Sequence, residues 1–121
     1  MSTTITLTEL TGAADGAGVK VAATSTPGTT IHTADSTAYD RVCLWAVNND
    51  ADGEPRSLTV EWGGTTDPDN VMTKWILADV GFVPVTPESG LILTNSLVVK
   101  AFADEANDVV IYGHVLRVTQ S

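Results

Sequence analysis

Between residues 3 and 10, Ile5 and Leu7 alternate with Thr4, Thr6 and Thr8. A period of two sends successive side chains to opposite faces of a strand, so the pattern predicts a half-buried strand with one aliphatic and one hydroxyl face. Thr11 to Gly18 holds three glycines and otherwise small side chains, which reads as a loop, and residues 1–18 together read as an arm able to contact a partner. Val19 to Ala23 and Thr29 to Thr33 flank Thr26-Pro27-Gly28. Pro presets φ there and Gly accepts the positive φ of a type II turn, so a hairpin or a paired edge is expected. Tyr39 to Asn48 is a continuous apolar run, as expected of a central strand covered on both faces. A polar turn over 49–55 leads into Ser57 to Trp62, in which Leu58, Val60 and Trp62 share a face, and these two strands predict an antiparallel hairpin.

After a glycine- and proline-broken stretch over 63–70, Val71 to Ala78 reads as a strand in preference to a short helix. Pro84 and Pro87 remove ladder donors and confine 81–87 to a sheet edge. Strands over 91–93, 97–103 and 109–118 complete the pattern, the last two joined by a polar loop of hairpin length, 104–108. About eight or nine short strands without a helical period define an all-β chain. The expected fold is an antiparallel β-sandwich, jelly-roll-like, forming a single domain over 1–121.

Composition narrows the chemistry. The 121 residues can bury about two-thirds of their unfolded surface, enough for one core without a metal or disulfide staple. Six Lys and Arg against 15 Asp and Glu give a net charge of -9. That balance leaves no cationic surplus for phosphates or anionic headgroups, so neither nucleic acid nor membrane is expected as a partner. The first residues lack a basic segment followed by a long apolar one, and no run of about 18 apolar residues occurs. The expectation is a soluble product made in the cytoplasm. The single Cys43, between Val42 and Leu44, reads as a small buried hydrophobe.

Candidate chemistry is sparse. His32 and His114 each sit on an expected strand with no nucleophile or acid beside them, and His32, among threonines, is expected to face solvent. No enzyme and no cofactor are expected. Asn48, Asp50 and Asp52 place oxygen donors at alternate positions before Gly53, which imitates the opening half of a calcium loop. The twelfth position, where a bidentate Glu should close such a loop, is Thr59, and Glu61 comes two residues too late. The competing reading is a hydrophilic turn. Trp45, Trp62 and Trp75 read as core or interface residues, Trp75 being the one expected at the surface because Lys74 precedes it. An exposed Trp near Asp residues would also suit a carbohydrate-binding module.

The segment Leu58-Thr59-Val60-Glu61-Trp62-Gly63-Gly64, then Gly90-Leu91-Ile92-Leu93, then Val98 to Ala103 followed by Val109 to Val115, resembles small virion proteins of tailed bacteriophages. The similarity covers residues 57–118 and consists of strands and glycines, with no catalytic fingerprint. It implies a structural subunit of the virion, first among them a capsid decoration or cement protein. Such proteins are usually trimers that sit on the capsid exterior and stabilise the lattice of the major capsid protein. A tail-associated or head-tail joining protein is the alternative within the same class. On this reading Thr4, Thr6 and Thr8 would pair with a neighbouring strand, and Gly63, Gly64, Asp67 and Trp75 would supply further partner contacts.

Overall fold

A computed structural model describes residues 2–120. Met1 and Ser121, which the single-domain expectation also takes in, lie outside the described residues. Ten strands and no helix occur among the described residues: β1 (Thr3–Thr8), β2 (Val19–Lys20), β3 (Thr29–Thr33), β4 (Tyr39–Asn48), β5 (Arg56–Trp62), β6 (Val71–Ile76), β7 (Val83–Pro84), β8 (Leu91–Leu93), β9 (Val98–Ala103) and β10 (Val109–Gln120). Sheet I runs β1-β10-β4-β7, with β2 also on β10 and β8 also on β4. Sheet II runs β3-β9-β5-β6. Every ladder is antiparallel, and the fold is the expected all-β sandwich.

Strand positions follow the hydrophobic pattern closely, but two expected hairpins are overturned, and of the two arrangements expected for 19–33, a hairpin or a paired edge, it is the paired edge that forms. β2 pairs with β10 while β3 pairs with β9, so no hairpin links them. β4 and β5 lie in different sheets, and so do β9 and β10. Each of these short connections carries the chain across the sandwich. The reason is the placement of apolar faces: Val42, Leu44 and Ala46 of β4 and Leu58 and Val60 of β5 are all buried in one core. A sandwich sets such faces against each other from opposite layers, whereas a hairpin would lay them side by side. Asn48 secures the β4–β5 crossing. Its Nδ2 donates to the carbonyls of Glu54 (2.8 Å) and Ile76 (2.9 Å), and its Oδ1 accepts the Asp50 N–H (2.9 Å). Among the described strands, β5 and β6 are the one consecutive pair that forms a hairpin.

The core takes Ile111 and Val115 from β10, Val99, Ala101 and Ala103 from β9, Ile31 from β3 and Ile76 from β6. Burying a side chain such as Leu44 or Ile111 stabilises the fold by about 1.5–3 kcal/mol. β10 lies close against β4 because residue 113 is glycine: a Cβ there would overlap the Cys43 carbonyl oxygen. Cys43 itself is buried. Two expectations of burial do not hold. β4 was expected to be covered on both faces, yet Tyr39 and Arg41 on its outward side are exposed. β1 was expected to be half-buried, yet all of its residues from Thr3 to Leu7 are exposed, because nothing of sheet II lies over it and β10 is its only strand partner.

Candidate interaction surface

The register settles what each outer face presents. On sheet I, Arg117 of β10 pairs with Asp40 of β4 on the core side, so the alternate positions point outward. These are Tyr112, His114, Leu116 and Val118 on β10, Tyr39, Arg41, Cys43, Trp45 and Val47 on β4, and Ile5 and Leu7 on β1. Ile92 of β8, opposite Arg41, and Lys20 of β2, opposite Val110, join them. Two cations therefore stand on the strands of this face, and none of the chain's 15 Asp and Glu does.

The apolar side chains here are open to solvent: Ile5 is 65%, Leu7 68%, Ile92 64%, Tyr39 55% and Phe82 62% exposed. Side chains of this size carry on the order of 150–250 Å² each, so the five together expose roughly 470–780 Å² of largely apolar surface, at or above the upper end for a monomer without a partner. Two depressions shape the face. One, of about 220 Å³, lies between Ile5, Tyr39, Ile92, Leu116 and Val118. The other, of about 330 Å³, is lined by Trp45, Phe82, Tyr112 and His114, with Gly113 beside them. Phe82 meets Tyr112 edge to face at 5.2 Å and Trp45 lies 5.7 Å from His114. The Tyr112 ring fits because residue 18 is glycine, whose Cβ would otherwise contact it at 2.8 Å.

The outer face of sheet II has the opposite character. Ser57, Thr59 and Glu61 of β5 stand beside Thr73 and Trp75 of β6 and Lys100 and Phe102 of β9. The Thr59 and Thr73 hydroxyls lie 3.0 Å apart, and Glu61 is paired in register with Lys100. The Glu61 carboxylate is buried under the β2–β3 connection, accepting the Gly28 N–H (2.7 Å) and the Thr26 hydroxyl.

The expected contact residues fall on both sheets. Thr4, Thr6 and Thr8 lie on the core-side face of β1 where that strand overhangs sheet II, pairing with Thr119, Arg117 and Val115. Gly63, Gly64 and Asp67 belong to the loop after β5, which Asn70 ties down through the Trp62 carbonyl. Trp75, on sheet II, is 63% exposed, whereas Trp62 packs against the core. The pattern of the sequence marked β1 but passed over Leu116, Val118, Tyr39 and Phe82, whose shared outward direction is visible only in the register.

The calcium candidates occupy a turn that an arginine already neutralises. The Asp50 carboxylate accepts the Glu54 N–H (2.8 Å) and the Asp52 N–H (3.1 Å), and Arg56 donates to it at 2.7 Å. Arg56 also reaches Asp108 at 2.9 Å. The Glu54 amide, with help from Arg56 and against some desolvation, holds the Asp50 carboxyl down to about 2. Among the described residues no group of three or more His, Cys, Asp or Glu gathers as metal ligands.

His32 differs from expectation in being fully buried instead of facing solvent. The Thr11 N–H donates to its Nδ1 at 3.2 Å, which leaves Nε2–H to donate to Asp40 Oδ2 at 2.7 Å. Asp40 also accepts two bonds from Arg117 (2.8 and 3.0 Å) and the Asp35 N–H (3.1 Å). Burial works against ionising Asp40, but the hydrogen bonds from Arg117 and His32 outweigh it and hold the carboxyl below its ordinary range. Asp35 is lowered as well, by the amides of Ala38 and Thr37. The network fastens Thr11, β3, β4 and β10 together, so the capacity of the histidine is spent on structure. Family models, curated proteins and solved structures were all compared with the chain, and none of them matches it.

Proposed function

We propose that this chain is a non-enzymatic structural subunit of a tailed-bacteriophage virion, a capsid decoration protein that docks on the lattice of the major capsid protein from the outside. The observation that carries the docking is the outer face of sheet I: largely apolar, with no carboxylate on its strands, and recessed at two places where a partner side chain can seat. The virion assignment comes from the resemblance of residues 57–118. Apolar burial supplies the binding free energy, and Arg41 and Lys20 favour a neutral or acidic lattice surface in a chain whose other surfaces are acidic. A subunit that binds only the assembled lattice stabilises that lattice by mass action.

The test is co-sedimentation with phage particles stripped of accessory proteins, comparing the wild type with Leu116→Glu. Binding by the wild type and its loss in the variant is the expected result. No sedimentation with the particles sinks the decoration reading, and binding confined to isolated tails moves the assignment to a tail-associated or joining protein. Exposed Trp75 beside the hydroxyls of Ser57 and Thr73 gives a carbohydrate-binding module its own footing. Glycan binding that Trp75→Ala abolishes would establish that reading.

A further inference from the structure

Sheet edges invite pairing with other chains, and folded proteins blunt them with charged residues, prolines, bulges or very short strands. Three of the four edges of this sandwich carry such a device. β3 has a register break between Thr30 and His32, β6 carries Lys74, and the far edge of sheet I is divided between β7, which has two residues including Pro84, and β8, which has three. The fourth edge is shared by β2, which has two residues including Lys20, and β1, which carries no such device. Its six residues, Thr3 to Thr8, include no charge and no proline, its ladder with β10 runs without a break, and among the described residues nothing pairs with its other side.

We propose that this edge is a joint between two copies of the chain, β1 pairing antiparallel with β1 of a second copy about a two-fold axis at Thr6. The alternation Thr4-Ile5-Thr6-Leu7-Thr8 reads the same in either direction around Thr6. Antiparallel self-pairing there sets Ile5 against the second copy's Leu7, Thr6 against Thr6 and Thr4 against Thr8. A one-residue slip would place aliphatic residues opposite threonines on every pair. Charge favours the same occupant. A chain of net charge -9 repels its own copies over most of its surface, and the uncharged β1 edge is where two copies meet without facing carboxylates. The joint makes one continuous sheet through both copies and merges their two apolar outer faces. An edge of five residue pairs buries less than a standard interface of about 1,600 Å², so the dimer dissociates on dilution. The proposal goes beyond docking on a capsid and stands without it. A two-fold joint closes on two copies, which sets it against the trimer that the resemblance implies.

The experiment is sedimentation equilibrium over a dilution series for the wild type, Thr6→Glu, Thr6→Lys and an equimolar mixture of the two variants. The wild type is expected to approach twice 12.7 kDa at high concentration. Each variant, with like charges directly opposed, is expected to dissociate about tenfold more readily, and the mixture to recover the dimer. Thr6 is exposed, and recovery in the mixture shows that both variants are folded. A wild type that is a trimer, or a monomer at every concentration, overturns the proposal. So does a dimer unaffected by either charge, or a mixture that fails to recover. Particle binding is read separately through Leu116→Glu, so failure of the docking reading and failure of the joint are distinguishable.

Discussion

The two outer faces of the sandwich are built from the same kind of strand and differ in almost everything they present. Sheet II turns Ser57, Thr59, Thr73 and the Glu61–Lys100 pair outward beside Trp75 and Phe102, and folds the β2–β3 connection over part of itself. Sheet I turns Leu116, Val118, Tyr39, Ile92 and an aromatic recess outward and sets no carboxylate beside them on its strands. Stability needs only the inner faces, so the apolar outer face of sheet I lies beyond what folding demands. Surface of that size and composition is the ground for the proposed docking face.

The contrast can be broken most directly by charge. Leu116→Glu is expected to weaken particle binding by about tenfold or more, since it sets a carboxylate into the apolar contact and ties up its cross-strand neighbour Arg41. Thr73→Glu on sheet II is expected to leave binding unchanged, and equal losses in the same assay would erase the distinction between the faces. Phe82→Ala removes one wall of the aromatic recess and should cost about tenfold in binding. Its thermal midpoint should shift little, because Phe82 is already 62% exposed.

Acid separates the faces in another way. Asp35, Asp40 and Asp50 all ionise more readily folded than unfolded, Asp50 near 2 and the others below 3.8. A lowered folded pKa contributes stability that is complete above the unfolded value and is lost as pH falls through the folded one. The melting temperature should therefore hold from pH 7 to about 5 and decline from about 4 towards 2. Arg56→Met should lower the plateau above pH 5 and make the Asp50 share of that decline smaller, ending at higher pH, with the Glu54 amide still holding part of the shift. The smallest expected effect belongs to Ile5→Thr and Leu7→Thr, which should each change unfolding free energy by no more than about 0.5 kcal/mol by denaturant titration, as residues already in water. A larger loss would mean that β1 is covered after all.

How far these features could be read from the sequence depends on how local they are. Strand positions were legible because period-two alternation and Pro or Gly interruptions act within a few residues. Pairing was not. A turn such as 49–55 or 104–108 suits a hairpin and a crossing between sheets equally well, and the choice rests on which distant apolar face each strand buries. The two-faced character of β1 was plain in its threonines and aliphatics, but its exposure depends on sheet II stopping short of it. His32 misled because its neighbours are threonines, while its partners Thr11 and Asp40 lie 21 residues before it and eight after it. Of the expected contact residues, Thr4, Thr6 and Thr8 lie on the overhanging strand. Gly63, Gly64, Asp67 and Trp75 belong to the other sheet, a separation that no spacing along the chain discloses.

β10 pairs with β1, β2 and β4, so the last described strand is the one that holds sheet I together. During synthesis, everything from β1 to β9 leaves the ribosome before its central neighbour exists. The ladders of β1, β2 and β4 with β10 can form only once residues 109–120 have emerged, and long-range pairing of this kind makes for slow closure. A chain cut short before β10 would keep β1, β2 and β4 without their shared partner, their apolar sides open to chaperones and proteases. Emergence of β10 thus comes before closure of its side of sheet I, and the order of pairing follows from the order of the chain.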